Sequence, residues 1–322
     1  MPLGEFEVIA RYFSREVPRR DVLLGVGDDA ALLVPPTGEV LVAATDTLVE
    51  GRHFLPGTPA ESVGHNVLAA NLSDLAAMGA DPAWALLSLS MPAVDEAWLE
   101  AFARGLYDLA VRHEVALVGG DTVAGPLLVT VTVLGSVPPQ AALRRSGARP
   151  GDAVFVSGTP GVAAAGLDLL RRGESSFASD DARVRRFLHA EPRLALGRAL
   201  RGHATAAMDV SDGLLGDLGK LVRASNVSVC LDLEHLPVAP VLAAHYERDR
   251  CEHFVLQGGD DYELLFTLPA EQAESLAPLI ATQVGCGLHR IGEIVPGSGE
   301  VRCLRRGSDE PVAGRGYDHF AR

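Results

Sequence analysis

Nine aspartates stand at the corners of predicted strands in this chain, in Gly27-Asp28-Asp29, Thr45-Asp46-Thr47, Ser73-Asp74, Gly120-Asp121-Thr122, Asp209-Val210-Ser211-Asp212 and Gly259-Asp260-Asp261. Carboxylates gathered in this way repel one another unless a divalent cation joins them, and magnesium held by few protein ligands usually means phosphate. A single aspartate is favoured at caps and turns, and Asp95 and Asp152 read that way. The ensemble reads differently. Asp46, Asp121 and Asp209 each end a β-rich run where carboxylates can converge, and Asp74 adds a ligand from a helix. Local sequence leaves open the choice between Asp28 and Asp29, and between Asp260 and Asp261.

Bulk properties narrow the partners. A chain of 322 residues with 48% hydrophobic residues is long enough for two domains, each with its own core. A net charge of -14 argues against nucleic acid, whose backbone needs clustered Lys and Arg. The same charge opposes an anionic nucleotide unless metal ions help. Cys230, Cys251, Cys286 and Cys303 show no CxxC spacing, which fits a reduced cytoplasm better than a disulfide or zinc framework. The start lacks a charged segment followed by an apolar core, and no stretch approaches the roughly 20 apolar residues of a bilayer span. The expectation is a cytoplasmic protein with no membrane partner.

Residues 31–34 and 40–44 read as two strands joined by Pro35-Pro36-Thr37-Gly38, a hairpin that would set Asp28 and Asp29 beside Asp46. A helix is expected over 60–78 with Gly79 as its stop, so that Asn71 and Asp74 share a face. A second helix starts near Asp95 with Leu99, Phe102, Leu106 and Leu109 as its core stripe. A strand over 115–118 is expected to break at Gly119-Gly120-Asp121, where the glycines let backbone amides approach a phosphate. The next strand is expected over 127–134. Residues 138–152 read as a linker carrying Arg144 and Arg145, which divides the chain into an N-terminal domain over 1–137 and a C-terminal domain over 153–322. In the second half, strands are expected over 153–156, 206–210, 227–231, 263–267 and 291–294. A helix from about Val162 and one carrying Leu214, Leu215, Leu218, Leu221 and Val222, capped by Ser211 or Asp212, complete that half.

Several chemistries are excluded. Lys220 is the only lysine and lies in a helical pattern, so neither a GxxxxGK[ST] phosphate loop nor a protein-kinase strand lysine is present. The Gly158-Thr159-Pro160-Gly161 loop lacks a dinucleotide fingerprint. The ten histidines form no HExxH pair; His53, in Gly51-Arg52-His53-Phe54, stands out by its place seven residues after Asp46.

Together, Gly25-Val26-Gly27-Asp28-Asp29-Ala30, Thr45-Asp46-Thr47-Leu48-Val49, Asn71 to Ala80, Gly119-Gly120-Asp121-Thr122, Asp209-Val210-Ser211-Asp212-Gly213 and the tail Gly316-Tyr317-Asp318-His319-Phe320 resemble the thiamine-monophosphate kinase family, across nearly the whole chain. The resemblance implies a mixed α+β fold like that of aminoimidazole ribonucleotide synthetase. Its N-terminal α/β domain has a mixed sheet and dimerises through it, and its C-terminal domain is an α+β sandwich. It implies transfer of the ATP γ-phosphoryl group to thiamine monophosphate, the last step of thiamine diphosphate biosynthesis, with several Mg2+ ions. Carried over by position, Asp29, Thr45, Asp46, Asp74, Asp121, Asp209 and Asp212 are implied as metal ligands. Tyr107, Gly120, Asp121, Arg145 and Ser211 are implied as ATP contacts, and His53, Asp260 and Tyr317 as substrate contacts, with Asp212 and Arg145 nearest the chemistry. Asp260 stands where the family often has Glu, and Ala44 where a hydroxyl residue is common. The rival reading is an amide-activating, ring-closing ligase of the same superfamily.

Overall fold

The computed structural model describes residues 3–15 and 19–312. The chain divides into two compact units, Met1–Leu75 with Ala80–Pro139, and Ala76–Gly79 with Gln140–Arg322. In the first, the elements are α1 (Glu5–Val8), β1 (Val22–Leu24), β2 (Leu32–Leu33), β3 (Val40–Val49), α2 (Ala60–Ala77), β4 (Asp81–Met91), α3 (Glu96–Arg112), β5 (Ala116–Ala124) and β6 (Leu128–Val137). Strands β3, β6, β4 and β5 form a mixed sheet in that order, parallel only between β4 and β5, while β1 and β2 pair separately. Helix α2 covers one face: Leu75 packs over Gly135, on the side to which Val129, Val131 and Val133 point.

Two expectations fail here. Pro35-Pro36-Thr37-Gly38 closes no hairpin, because β2 pairs back onto β1 and β3 pairs with β6 over its full length, from Val40 opposite Val137 to Val49 opposite Leu128. Two prolines without N–H groups cannot start a ladder, and a ten-residue pairing outweighs a four-residue one. Strand β5 does not break at Gly119 but continues to Ala124. Gly120 makes this continuation possible: it adopts φ 151°, and a Cβ there would sit 1.8 Å from the Leu87 carbonyl oxygen.

Helix α3 begins at the cap Asp95, whose side chain accepts from the N–H groups of Ala97 and Trp98, as the cap reading of Asp95 anticipates. Its contact with α2 is made backbone to backbone. A Cβ at Gly64 would lie 2.1 Å from Phe102 O, and one at Gly105 would lie 1.9 Å from Glu61 O, so a glycine on each helix admits the other.

The second unit contains β7 (Ala153–Ser157), α4 (Val162–Arg171), α5 (Ala182–Leu188), α6 (Leu194–Leu200), β8 (Ala206–Val210), α7 (Leu214–Ser225), β9 (Ser228–Asp232), α8 (Pro240–Ala243), α9 (Arg248–Gln257), β10 (Glu263–Leu268), α10 (Ala270–Val284), β11 (Leu288–Val295), β12 (Val301–Arg305) and β13 (Ser308–Asp309). Its sheet runs β13-β12-β9-β11-β7-β10-β8, antiparallel except between β12 and β9. The expected apolar stripe of α7 is buried against it, with Leu214, Leu218, Leu221 and Val222 in one cluster with Met208, Leu265 and Ile291. The architecture of both units is mixed α+β. The four cysteines are free, and among the described residues no helix is long and apolar enough to cross a membrane.

Candidate functional site

In the second unit the predicted residues gather where β8 ends and the antiparallel β10 begins. Asp209 pairs in register with Leu264, and Val210 with Glu263. The loop before β10 is tied to the end of β8 by two main-chain bonds, Asp260 N–H to Ser211 O at 3.0 Å and Tyr262 N–H to Val210 O at 2.9 Å. Asp209, Ser211, Asp212 and Asp260 therefore occupy one end of the sheet. The helix that follows is not capped by Ser211 or Asp212. Its N-cap is Gly213, and the loop N–H groups are taken from inside the helix: Asp217 Oδ2 accepts from both Ser211 N–H and Asp212 N–H at 3.0 Å. Lys220 donates to Asp212 Oδ2 at 2.6 Å and to Asp217 Oδ1 at 2.8 Å. Burial opposes the Lys220 charge, but the hydrogen bonds to Asp212 and Asp217 outweigh it and hold the ammonium above its ordinary pKa. Sequence reasoning missed Asp217 and Lys220; their spacing of three along a predicted helix was the available signal.

Asp260 and Tyr262 have φ of 63° and 52°, so the loop is held in a conformation that non-glycine residues seldom adopt. It is braced from below by Glu263, 2% exposed, whose carboxylate accepts from Arg186, Arg193 and Ser157. Arg186 also donates to the Asp261 carbonyl at 2.6 Å. Asp261 accepts the Gly161 N–H at the start of α4 through Oδ2 at 2.7 Å, while its buried Oδ1 has no hydrogen-bond partner. Of the two aspartates, Asp261 is thus the one that orients backbone.

Burial pushes the Asp260 carboxyl up to about 6, the Asp212 charge adds to this, and Arg171 and Tyr262 oppose it. The folded state therefore holds this proton after the unfolded chain has lost it. Stability is undiminished below the unfolded value of 3.8 and falls as pH rises to about 6. The full loss is about 3 kcal/mol at 1.36 kcal/mol per unit, an upper figure because the residue is partly exposed. Asp260→Asn removes the penalty. In urea unfolding it is expected to be more stable than the parent by up to about 3 kcal/mol at pH 8 and equal to it near pH 4. A difference independent of pH would show that the carboxyl is not strained there.

In the first unit the residues are spread out. Asp46 lies on β3 opposite Val131, which is opposite Leu87, which is opposite Gly120 on β5. Three strand spacings of about 4.8 Å put Asp46 and the Gly120-Asp121 segment about 14 Å apart, at the two edges of the sheet. They do not converge within one chain. Thr45 faces away from Asp46; its hydroxyl meets Thr132 Oγ1 at 2.9 Å, and Thr47 meets Thr130 at 2.8 Å, on the face opposite α2. Asp46 shares the α2 face with Asn71. Asn71 is fully buried, accepts the Asp46 N–H at 3.0 Å and donates to Val67 O at 2.8 Å, which fixes the strand to the helix. Over residues 67–77 of α2 only Asp74 escapes burial. Asp28, Asp29 and Asp121 are exposed, and Asp28 and Asp121 each accept the following N–H.

Other predicted residues lie apart. Arg145 is exposed, and its carbonyl accepts from Ser225 at the C-terminal end of α7, whereas Asp212 precedes the N-terminal end. A helix of 12 residues is about 18 Å long, so the second unit does not bring Arg145 to Asp212. Tyr107 is buried on α3, donates to Phe13 O at 3.0 Å and has the Arg15 guanidinium 4.1 Å from its ring centre; burial pushes its phenol up to about 12 against the opposing Arg15 charge. His53 Nδ1 accepts the Val49 N–H at 3.0 Å in the turn after β3, which leaves Nε2 to carry the proton of the neutral ring. Tyr317 and its tail motif lie outside the described residues.

The proposed metal ligands offer only carboxylate and hydroxyl oxygens, the donor set magnesium takes. Among the described residues no three His, Cys, Asp or Glu side chains form a complete group for a metal ion. Magnesium usually takes one or two carboxylates together with phosphate oxygens and water, so these residues fit an ion that arrives with a phosphate.

Family models for the AIR synthase related protein match this chain, the N-terminal domain over residues 27–137 and the C-terminal domain over residues 149–303. The chain is 46% identical over 324 residues to the thiamine-monophosphate kinase of Escherichia coli (strain K12), covering 100% of this chain and 99% of that protein. Its structure is similar to that of the thiamine-monophosphate kinase from Stenotrophomonas maltophilia K279a, with a TM-score of 0.87, 46% identity and coverage of 96% and 99%. It is also similar to AaThiL complexed with AMPPCP and TMP, with a TM-score of 0.78, 32% identity and 89% of each chain covered.

Proposed function

Since the chain belongs to the thiamine-monophosphate kinase family of AIR synthase related proteins and is a phosphotransferase, we propose that it moves the γ-phosphoryl group of ATP onto the phosphate of thiamine monophosphate, giving thiamine diphosphate and ADP. The observation that carries this reading is the gathering of Asp209, Ser211, Asp212 and Asp260 at one end of the second sheet, in a chain 32% identical to a relative solved with AMPPCP and TMP.

A phosphate monoester has a second pKa of about 6, so the acceptor oxygen is already ionised near neutrality and no general base is needed. The obstacle is the approach of two anions. Several magnesium ions, shared out among Asp29, Asp46, Asp74, Asp121, Asp209 and Asp212 with a Thr45 oxygen, would supply the charge that offsets their repulsion. The chain's own part is orientation. The main chain of Ser211 and Asp212 is pinned by Asp217, so Ser211 has only its hydroxyl to offer a nucleotide. Arg145, at the far end of α7, suits a contact with the nucleotide away from the transferred group. His53 Nε2 and Asp260 are the polar groups proposed for thiamine monophosphate. Fixing reactants in line is where phosphoryl-transfer enzymes gain most of their rate.

A homodimer is part of the proposal. Among the described residues strands β3 and β5 form the two edges of their sheet, and the sheet face opposite α2 exposes Leu41 (53%) and Leu86 (36%) beside Thr45 and Thr47. Pairing the β3 edge of one copy with the β5 edge of another would bring Asp46 and Asp121 of different copies toward each other. Leu41→Asp is expected to turn a sedimenting dimer into a monomer and to lower activity at least tenfold, because a charge desolvated at an interface is costly. A fully active monomer would remove the dimer from the mechanism.

The deciding assay follows thiamine diphosphate formation from thiamine monophosphate, ATP and magnesium by chromatography, with EDTA and free thiamine as controls. Product that needs magnesium and is absent with free thiamine is expected. Release of ADP without thiamine diphosphate would instead favour a ligase acting on an amide oxygen.

A further inference from the structure

Asp212 is held from both its main chain and its side chain by two residues of α7. Asp217 accepts the Asp212 N–H, Lys220 donates to the Asp212 carboxylate, and Lys220 and Asp217 are joined to each other, so the three contacts form a closed ring. The side chain of Asp217 is 0% exposed, whereas those of Asp212 and Lys220 are 33% and 36% exposed. Breaking the pair would leave a fully buried carboxylate without its counterion, which is costly, so Asp217 anchors Lys220. Asp212 is thus placed by a cation that Asp217 fixes, rather than the reverse. Lys220 is also the one lysine among 28 Lys and Arg residues. Other carboxylates of this unit, such as Asp181 and Glu252, meet arginine forks, whereas here one atom donates to two carboxylates from different directions, which a compact ammonium does and a planar guanidinium does poorly.

We propose that Lys220 is a positioning residue for phosphoryl transfer, holding the Asp212 carboxylate by Oδ2 so that Oδ1 is presented to the magnesium that accompanies ATP. This rests on the proposed role of Asp212 as a metal ligand. The Asp212 rotamer is then selected during folding, and no ordering is left to be done when nucleotide binds.

The test separates this role from simple neutralisation of Asp217. Lys220→Met alone leaves a buried charge unpaired and need not fold, so the informative variant is Asp217→Asn/Lys220→Met. It removes both charges, while the amide oxygen at position 217 still accepts the two loop N–H groups; its urea midpoint is expected near that of the parent. Calorimetric titration with AMPPCP then reads binding without turnover. In magnesium the double variant is expected to bind about 10- to 100-fold more weakly than the parent, the range for loss of a group that orients a metal ligand, and in EDTA the two are expected to be equal. Equal affinity in magnesium would overturn the proposal and leave Lys220 as the counterion of Asp217 alone. A second readout needs no ligand. With ζ-15N-lysine the chain carries a single side-chain ammonium signal, expected to exchange slowly and to move in Asp212→Asn. A fast-exchanging signal indifferent to that change would count equally against the idea. Neither readout requires thiamine monophosphate, so failure to form thiamine diphosphate would sink the proposed reaction without touching this one.

Discussion

Asp212→Asn is expected to lower turnover by about 100- to 1000-fold while changing stability by about 1 kcal/mol at most. The two effects separate because they draw on different properties of one carboxylate. For folding, its charge is a partner to Lys220 at a site where both side chains are about one-third exposed, so screening by water keeps the pair weak. The amide can still accept from Lys220, and Asp217 keeps its hold on the loop N–H groups. For the reaction, the same charge is proposed to bind magnesium against the transferred phosphate, where water is displaced and a lost charge costs about 3 kcal/mol or more. The check is thiamine diphosphate formation beside urea unfolding of the same preparation. Turnover like that of the parent would remove Asp212 from the site. A large loss of stability would instead make its role structural.

The largest loss of folding stability is expected away from the candidate site, where helix α3 crosses α2. Gly105→Ala should raise helix propensity by about 1 kcal/mol, since alanine is the best helix former and glycine nearly the worst. Against this stands a methyl group placed 1.9 Å from Glu61 O, a backbone atom that moves only if all of α2 moves. Overpacking a tight contact costs about 1 to 3 kcal/mol where neighbouring side chains can adjust, and here no side chain can yield. The clash wins, with a net loss of about 2 kcal/mol or more expected in urea unfolding. Gly64→Ala meets Phe102 O across the same crossing, and the two changes together should not add, because either one already forces the helices apart. A stabilised Gly105→Ala would mean that α2 and α3 do not approach this closely in solution.

How legible each feature was follows from the range over which it acts. The limits of β8, the start of α4, the cap at Asp95 and the apolar stripe of α7 were readable because periodicity, capping and turn residues act within a few positions. The hairpin at Pro35-Pro36 and the break at Gly119 were misread for the complementary reason. Strand partners are chosen across the sheet, and local signals cannot see β6 waiting for β3, or the Leu87 carbonyl that demands glycine at 120. The glycines of α2 and α3 look like weak helix formers until the opposing helix is in view.

The candidate site divides in the same way. By itself, the sequence determined the chemical types: oxygen ligands on many strand ends, one lysine, no phosphate loop and no thiolate cluster, hence the expectation of magnesium and phosphate rather than zinc or a Walker nucleotide site. It also carried the family resemblance, since the motifs are contiguous. Only the tertiary structure decided which carboxylates are neighbours. It joins Asp212 to Lys220 and Asp217, sets Asp260 against Ser211, and separates Asp46 from Asp121 by the width of a sheet. The physical reason is that residue type is a local property of the chain, whereas electrostatics and coordination depend on distances of a few ångströms between segments far apart in sequence.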